Sequence, residues 1–472
     1  MTRLRQSDTD ACPGALRLHP AADGLLARVR LPGGLLSGAQ LRSLRELAEE
    51  FGDGRLELTS RANLQLRALR AEQTETLAAR LRAAGLLPSS THDSVRNIAA
   101  PPLAAAPLRR LVTELDAAII ADPGLAALPG KFLFAIGHVP LAADVAAVPG
   151  GGRFALRFGG HDTGLRVDAG RVVESLVATG HAFLAERAAR VQAGGGSAWR
   201  LRELPDGPER VSRRVAAALG VVPVSVPATA VLDVVEPGDL VGVVSMRPPD
   251  ALGDGVTGSD QFAAGASVPL GRLEGVQVKA LEDAERLVVT PWRGIVVPDL
   301  AETAARAWIG RMDAAGLVVT ASSRWSGVSA CAGRPGCARS LADVRADAAA
   351  ATRFAPGLPV HWVGCERACG SPAGPHVRAE ATTGGYAVTR RSADGTLLSG
   401  CGADPEDAVG AGGADASAGG ADAGRDDAAT DDESAAGASA AGASAAGASA
   451  AGASAVGLAE LVAGARRGPN GV

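Results

Sequence analysis

The sequence predicts an α+β protein in which one structural unit occurs twice. Residues 54–87 and residues 285–320 follow the same pattern. In each, an alternating apolar run is broken by a turn containing Thr-x-Arg or Thr-x-x-Arg, and a second apolar run follows. An amphipathic helix then ends in Ala-Ala-Gly-Leu. Alternation with a period of two indicates strands, and a glycine after the last apolar turn indicates a helix C-terminus.

A further strand is predicted upstream of each copy, in GLLARVRLPGG at 24–34 and in DLVGVVSMRPP at 239–249. The helix SGAQLRSLRELAEEFG separates this strand from the next one in the first copy. The corresponding stretch of the second copy, DALGDGVTGSDQFAAGASVPLGRL, matches that helix poorly. The order of strand, helix, strand, strand and helix is typical of an α+β half-domain.

The rest of the chain predicts two α/β domains and one low-complexity insertion. The insertion combines an acidic Gly/Ala/Asp stretch with a repeat of Ala-Ala-Gly-Ala-Ser. It has too few large apolar residues to form a core, so we expect it to be disordered. The pattern LAELVAGARR beyond it is interpreted as a helix of the last domain. The predicted units are half-domains 1–88 and 216–320, α/β domains 89–215 and 321–401, the insertion 402–456 and a C-terminal helix 457–472.

The net charge and the lack of long apolar runs bear on where the protein acts and what it binds. The 472 residues carry a net charge of −4, with a pI near 6.0. This balance gives no general attraction to nucleic acid or to membranes. The first twenty residues contain no apolar stretch of signal-peptide length, and no run approaches the ~18 to 20 apolar residues that span a bilayer. We therefore expect a soluble cytoplasmic protein.

Four of the six cysteines fall in two short segments, Cys331-x5-Cys337 and Cys365-x3-Cys369. In a reducing compartment, clustered cysteines bind metal or carry out redox chemistry. Iron–sulfur clusters take four thiolates, often from more than one loop. Zinc is the main alternative, although only the second spacing suits paired zinc ligands. Unrelated buried cysteines are the third possibility, and the two remaining cysteines, Cys12 and Cys401, are interpreted as isolated thiols.

Several motifs occur in an order that resembles the nitrite and sulfite reductase superfamily: LELTSRANLQL, HDSVRNIAAPPL, LPGKFLF, LVVTPWRGIVV and then the cysteine pairs. Within it, CPGALRLHPAADGLLARVRLPGG and ACAGRPGCARSLADVRADA are most similar to the precorrin-3B synthases of aerobic cobalamin biosynthesis. The resemblance covers roughly residues 10–400. It implies duplicated ferredoxin-like half-domains plus two α/β domains of the sirohaem and iron–sulfur type.

The resemblance also implies a reaction. A synthase would hydroxylate precorrin-3A at C20 with O2 and form a γ-lactone, with NADH as the indirect electron donor. A [4Fe-4S] cluster on Cys331, Cys337, Cys365 and Cys369 would relay electrons from a separate reductase or ferredoxin. The sequence has no strand–GxGxxG–helix site for a dinucleotide, and no 2-His-1-carboxylate spacing identifies ligands for the non-haem iron that the family implies. The alternatives are a sirohaem-dependent nitrite or sulfite reductase and a non-enzymatic scaffold stabilised by zinc.

Four cations match family positions that bind the carboxylates of a macrocycle or an anionic substrate: Arg61, Arg96, Lys131 and, in the second copy, Arg293. The planar donor fork of arginine suits a carboxylate, although any single arginine is more often a solvated surface charge. Leu133 stands where the reductases have the second lysine of a Lys-x-Lys pair, which favours the synthase. Among the histidines, His361 is singled out because it lies beside the second cysteine pair. No catalytic residue is predicted.

Overall fold

The computed structural model describes residues 12–225, 240–246, 261–372, 374–392, 396–398 and 455–467. Apart from its last two positions, the predicted insertion lies outside the described residues, as does Cys401. One apolar core lies beneath both half-domains, and each α/β domain has a main core of its own. Within the described ranges, no helix is both long enough and apolar enough to cross a membrane.

The first half-domain has five strands and two helices: β1 (His19–Ala21), β2 (Gly24–Val29), β3 (Leu35–Leu36), α1 (Gly38–Phe51), β4 (Leu56–Leu58), β5 (Leu64–Leu69) and α2 (Thr74–Ala83). A reciprocal capping box begins α1, because the Ser37 hydroxyl accepts from the Gln40 amide and the Gln40 side chain accepts from the Ser37 amide. Leu41, Leu44 and Leu47 form the buried face of this helix.

The first α/β domain follows, with β6 (Ile98–Ala99), α3 (Ala106–Ala121), β7 (Phe134–Ile136), β8 (Val145–Gly150), β9 (Arg153–Phe158), β10 (His161–Val167), α4 (Val172–Gln192) and α5 (Gly207–Leu219). Its sheet has the order β10-β9-β8-β7-β6. The pairs β6–β7 and β7–β8 are parallel, whereas β8–β9 and β9–β10 are antiparallel. The carboxyl ends of the parallel strands therefore meet at one edge of the sheet.

The second half-domain contains β11 (Gly242–Ser245), β12 (Phe262–Ser267), β13 (Arg272–Leu273), α6 (Gly275–Leu281), β14 (Leu287–Val289), β15 (Gly294–Leu300) and α7 (Glu302–Ala314). The sequence predicted that the strand in 239–249 is the counterpart of the strand in 24–34. This prediction is wrong, because the true counterpart is the next strand along the chain. The counterpart of β2 is β12, since each pairs with the second strand of its hairpin, β5 or β15. The small residues of FAAGAS hide this strand in the sequence. The counterpart of α1 in the second copy is the short helix α6. It begins two residues after the stretch that matched α1 poorly in the sequence.

The two half-domains exchange a short edge strand. Leu35 and Leu36 of β3 lie opposite Val288 and Leu287 of β14. In return, β13 pairs with β4, and Arg272 lies opposite Glu57. The two sheets have the orders β1-β2-β5-β4-β13 and β11-β12-β15-β14-β3. Each copy therefore completes the sheet of the other, and the two share one core.

The last domain contains β16 (Val328–Ala330), α8 (Val344–Ala351), β17 (Val360–Val363), β18 (His376–Thr382), β19 (Gly385–Arg391) and α9 (Ala455–Arg467). Its sheet β16-β17-β18-β19 repeats the pairing pattern of β6-β7-β8-β9: two parallel pairs and then an antiparallel pair. Arg466 of α9 donates hydrogen bonds to the carbonyl oxygens of Leu358 and Ser326, both at 2.8 Å. The described residues thus form a half-domain followed by an α/β domain, and then the same pair again.

Candidate functional site

The four clustered cysteines lie on two loops that leave neighbouring parallel strands. Cys331 directly follows β16, and Cys365 lies two residues after the end of β17. The strands are in register, so both loops start from the same edge of the sheet. The Gly364 amide donates a hydrogen bond to the Cys331 sulfur at 3.3 Å. The structure therefore brings together the two loops that the sequence separates.

The thiols interact electrostatically. Cys369 is exposed, and the other three are partly buried. Burial raises the pKa of the Cys369 thiol, the Arg367 charge opposes this, and negative charge on Cys331, Cys365 and Cys337 raises the pKa further. Negative charge on any one of these thiols therefore disfavours ionisation of Cys369.

The donor chemistry of the four cysteines fits an iron–sulfur cluster. Such a cluster takes four thiolates, often from more than one loop, and each thiolate binds a different iron. Cys331 and Cys337 lie on one loop, and Cys365 and Cys369 lie on the other. Four thiolates are also a donor set for a structural zinc ion.

Glycines let the two cysteine loops approach their neighbours closely. A Cβ atom on Gly364 would lie 1.7 Å from the Ser340 hydroxyl oxygen. Gly370 has a φ of +84°, and a Cβ atom there would lie 2.9 Å from the Arg293 guanidinium. No larger residue fits at Gly364 without displacing Ser340, which is 1% exposed.

Each half-domain holds one cysteine loop through a backbone carbonyl. Arg67 of β5 donates from Nη2 to the Gly336 oxygen at 2.7 Å. Arg293, in the turn between β14 and β15, donates from Nη2 to the Gly370 oxygen at 3.1 Å. Both carbonyls belong to residues adjacent to a cysteine. The first copy therefore fixes the C-x5-C loop and the second copy fixes the C-x3-C loop.

His361 of β17 is fully buried beneath the C-x3-C loop. Its Nε2 lies 3.0 Å from the Cys369 carbonyl oxygen, and its Nδ1 lies 2.8 Å from the Ser329 hydroxyl. A carbonyl can only accept, so Nε2 carries the hydrogen and Nδ1 accepts from Ser329. Burial and the Arg293 charge lower the pKa of His361 to about 3, so the ring is neutral. His361 thus contacts the backbone of a predicted ligand and is not a ligand itself.

Arg61 and Lys131 lie at the boundary of the first half-domain and the first α/β domain. Arg61 is in the turn between β4 and β5, and its Nη1 donates to the Lys131 carbonyl oxygen at 3.3 Å. The Lys131 ammonium lies 4.6 Å from the centre of the Trp199 ring, within range of a cation–π contact. The structure therefore places together two of the four predicted cations.

Arg61 is surrounded by further positive charge. Burial, followed by the charges of Arg200 and Arg30, lowers the pKa of Arg61 to about 10, although Cys12 and Asp144 oppose this. Arg30 and Arg200 are themselves buried, with 2% and 7% exposure. We call this set the cationic cluster: Arg30, Arg61, Lys131 and Arg200. Sequence reasoning missed Arg30 and Arg200 because no motif marks them, although Arg30 does stand between two apolar residues, Val29 and Leu31, at the end of β2.

Arg96 lies in a buried ion pair. Its Nε and Nη2 atoms each lie 2.7 Å from one carboxylate oxygen of Asp116. Both residues line a cavity of about 170 Å³ that Arg30 also lines. Pockets for small molecules usually exceed about 300 Å³, so this cavity is not the macrocycle site. A carboxylate-binding role for Arg96 stays a prediction.

The predicted equivalence of Arg293 and Arg61 is wrong by one residue. The Ala62 amide bonds to the Thr59 carbonyl at 3.1 Å, and the Arg293 amide bonds to the Thr290 carbonyl at the same distance. Ala62 and Arg293 also share positive φ angles, of 56° and 62°. Arg293 therefore corresponds to Ala62. The extra residue between threonine and arginine turns its side chain to the cysteine loop instead of the cationic cluster.

Leu133 lies in a small apolar cluster with Ala99 and Ala135 and is 3% exposed. Its amide donates to the Asp144 carboxylate at 2.8 Å. The position at which the reductases have a second lysine is therefore occupied here by a buried apolar side chain.

One hairpin joins the two parts of the site. Arg61, in the turn of the β4–β5 hairpin, belongs to the cationic cluster, and Arg67, near the end of β5, holds the C-x5-C loop. Arg61 lies in the turn, whereas Arg67 lies three residues beyond the start of β5 at Leu64, which is about 10 Å along the strand. The cationic cluster and the cysteine loops are thus at opposite ends of one rigid element.

Comparison with known proteins agrees with this architecture. Residues 19–84 match the family described as the nitrite/sulfite reductase ferredoxin-like half domain. The NirA protein of Mycobacterium tuberculosis matches this chain with a TM-score of 0.62 at 22% identity, over 79% of this chain and 76% of that one. This match confirms the predicted α+β fold with duplicated half-domains.

Two curated relatives match shorter segments. A ferredoxin–nitrite reductase from Leptolyngbya laminosa is 36% identical over 131 residues, which is 25% of this chain and 26% of that protein. A precorrin-3B synthase from Sinorhizobium sp. is 35% identical over 149 residues, 31% of this chain and 30% of that protein. The matching segments thus span only about a quarter to a third of these relatives.

Proposed function

We propose that this chain is a precorrin-3B synthase: an oxidoreductase that hydroxylates precorrin-3A at C20 with O2 and forms a γ-lactone from the ring A acetate. The observation that carries the proposal is the β4–β5 hairpin, which connects a buried cationic cluster to a set of four converging thiols. The first feature suits a polycarboxylate macrocycle and the second suits a redox cofactor. The similarity to a precorrin-3B synthase at 35% identity supports the same assignment.

The cationic cluster would bind the substrate. A precorrin carries acetate and propionate groups around its rim, and guanidinium groups grip carboxylates through paired hydrogen bonds. Arg61 remains protonated near pH 7, since its pKa is about 10. Partial burial would strengthen its attraction to a carboxylate relative to a fully solvated pair. Lys131 would supply a second charge at the same boundary.

Cys331, Cys337, Cys365 and Cys369 would hold the [4Fe-4S] cluster. When bound, such a cluster supplies single electrons at a potential set by hydrogen bonds to its sulfurs, local charge and solvent exposure. The Gly364 amide already donates to the Cys331 sulfur. The exposed Cys369 would place one side of this site near the surface. A separate reductase or ferredoxin, supplied by NADH, would deliver electrons there.

Other parts of the proposal come from the resemblance alone. These are the use of NADH, a cytoplasmic location and a non-haem iron centre. For that iron the described residues offer no ready set of three His, Cys, Asp or Glu ligands. We therefore assign it no residues.

A sirohaem-dependent nitrite or sulfite reductase is the alternative, and the 36% identity to a nitrite reductase favours it. It would need an anion-binding set of cations beside the macrocycle. The buried Leu133 removes one such cation. For this reason we favour the synthase.

The test is an assay of anaerobically purified protein with each substrate class. With precorrin-3A, ¹⁸O2, NADH and an added reductase, we expect a product that carries the label at a C20 hydroxyl group. With nitrite or sulfite and a chemically reduced ferredoxin, we expect no turnover above the protein-free control. Turnover of nitrite or sulfite by a protein purified with bound sirohaem, without conversion of precorrin-3A, would overturn the proposal in favour of the alternative.

A further inference from the structure

A buried carboxylate surrounded by three arginines lies next to the C-x5-C loop. Glu57 of β4 is 5% exposed. Its Oε1 bonds to Nη1 of Arg345 and lies 4.0 Å from Nε of Arg272, and its Oε2 lies 3.7 Å from Nη1 of Arg67. Burial alone would raise the pKa of Glu57, but Arg345, Arg67 and Arg272 outweigh burial and lower it. Glu57 is therefore ionised, and we call these four residues the Glu57 network.

Two of the arginines also bind the backbone of the C-x5-C loop. Arg345 donates from Nε to the Cys331 carbonyl oxygen at 3.1 Å. Arg67 donates from Nη2 to the carbonyl oxygen of Gly336, the residue before Cys337, at 2.7 Å. Glu57 thus bonds to Arg345, one of the two guanidinium groups that hold the loop, and lies 3.7 Å from the other, Arg67, which Asp23 holds through two hydrogen bonds of 2.9 Å.

The network exists because of the strand exchange between the half-domains. Glu57 and Arg67 come from the first half-domain, and Arg272 comes from the second and lies opposite Glu57 in the β13–β4 pair. Arg345 comes from α8 of the last domain. The charges therefore meet only where three domains meet. Gln65, the neighbour of Glu57 across the β4–β5 hairpin, adds a hydrogen bond to Oε2 at 3.4 Å.

The network places charged groups beside two predicted ligands, although Asp23 pairs with Arg67 at 2.9 Å and Asp53 lies 3.4 Å from Arg272. Positive charge near a redox cofactor stabilises its reduced, more negative state, and negative charge does the opposite. Because Glu57 and Arg67 are nearly buried, with 5% and 6% exposure, solvent screens their charges weakly.

We propose that the Glu57 network positions the C-x5-C loop and sets the reduction potential of the cluster on the four cysteines. Arg345 and Arg67 hold the loop and raise the potential, whereas Glu57 orients Arg345 and lowers the potential. This inference rests on the proposed function, since it requires that the cysteines hold a cluster. The network residues are positioning residues, because they act through the loop and through their charge.

The experiment is a redox titration of the full-length protein, followed by electron paramagnetic resonance. The variants are Glu57→Gln, Arg345→Gln and Arg345→Lys, and the control is Glu50→Gln in the exposed ion pair with Arg80. We expect Glu57→Gln to raise the midpoint potential and Arg345→Gln to lower it. Each shift should correspond to about a tenfold change in the reduction equilibrium, which is about 59 mV for one electron. The control should match wild type.

Arg345→Lys separates charge from geometry, because it keeps the charge and loses the fork that joins Glu57 to Cys331. We expect its midpoint potential to stay close to wild type, with a lower melting temperature. A purely structural role would shift the midpoint potentials of Glu57→Gln and Arg345→Gln in the same direction or leave both unchanged. Either result would overturn this inference and leave the proposed function standing. If Arg345→Gln loses its cluster, the Glu57→Gln variant tests the inference by itself: a higher midpoint potential supports it, and a lower or unchanged one overturns it. Wild-type protein without iron and sulfide would overturn the proposed function as well.

Discussion

His361 and Cys369 are joined by a hydrogen bond of 3.0 Å from the ring Nε2 to the backbone carbonyl oxygen. The bond links a fully buried side chain to a residue that is exposed. Because the Ser329 hydroxyl satisfies Nδ1, the ring cannot rotate without breaking two hydrogen bonds. The position of the Cys369 backbone is therefore set from the interior of the last domain.

The first prediction follows from this bond. His361→Leu removes both hydrogen bonds of the ring, and each such bond contributes about 0.5 to 1.5 kcal/mol. We expect faster release of iron to a chelator and faster amide exchange around Cys369. His361→Gln, which can still donate to the carbonyl, should retain more iron. Equal iron release from the two variants would contradict a role for the hydrogen bond.

The second prediction concerns Arg61 and tetrapyrrole binding. A hydrogen bond to a charged group contributes about 1.5 to 3 kcal/mol, so Arg61→Gln should weaken the Kd for a carboxylated tetrapyrrole roughly 10- to 150-fold. Arg61→Lys keeps the charge but loses the planar donor fork, so its Kd should lie between those of wild type and Arg61→Gln. The measurement is an absorbance titration, with Arg110→Gln on the exposed side of α3 as the matched control. An Arg61→Gln affinity equal to that of the control would remove Arg61 from the binding site.

The third prediction compares one substitution at two glycines. Gly364→Ala would place a Cβ atom 1.7 Å from the Ser340 oxygen, so we expect a fall of several kcal/mol in the free energy of unfolding and loss of iron. Gly310→Ala has open space around it on α7, and alanine there should stabilise by about 1 kcal/mol. Chemical denaturation measures the free energy of unfolding of both variants and checks that one falls and the other rises. The double variant Gly364→Ala, Ser340→Gly should recover part of the loss, and no recovery would point to a different cause of strain.

The fourth prediction concerns pH and the single tyrosine of the chain, Tyr386. Burial and a 2.7 Å hydrogen bond to Asp347 raise the pKa of Tyr386 above its ordinary value. The unfolded chain releases this proton above about pH 10 and the native protein does not, so stability is lost as the pH rises beyond 10. Ultraviolet absorbance should show no tyrosinate until the protein unfolds. Tyr386→Phe should show a smaller loss of stability at high pH, and a native tyrosinate signal near pH 10 would contradict the assignment.

The fold was predictable where residues repeat a local pattern. The hairpins and the helices ending in Ala-Ala-Gly-Leu are governed by alternation and capping, which neighbouring residues determine. The strand β12 was missed because small residues in FAAGAS show no alternation. The exchange of β3 and β13 was also missed, since each strand has only two residues and its partner is more than 200 positions away in sequence.

The site was predictable only in part, for a similar reason. The spacing of the cysteines indicates a shared ligand, and the structure brings their loops together. The residues that hold those loops act across domains. Glu57 and Arg67 lie in a hairpin that reads as an ordinary strand pair, and nothing in the sequence links them to Arg345. A charged residue between two buried leucines, such as Glu57 between Leu56 and Leu58, was the available signal.

The most direct test is the iron and acid-labile sulfide content of anaerobically purified protein, read together with its visible spectrum. Wild type should contain about four irons and four sulfides per chain, with a broad brown absorbance. Cys337→Ser and Cys365→Ser should lose that absorbance, whereas Cys401→Ser should keep it. One zinc per chain without iron or sulfide, or a spectrum unaffected by replacing Cys337 and Cys365, would contradict an iron–sulfur site on these loops.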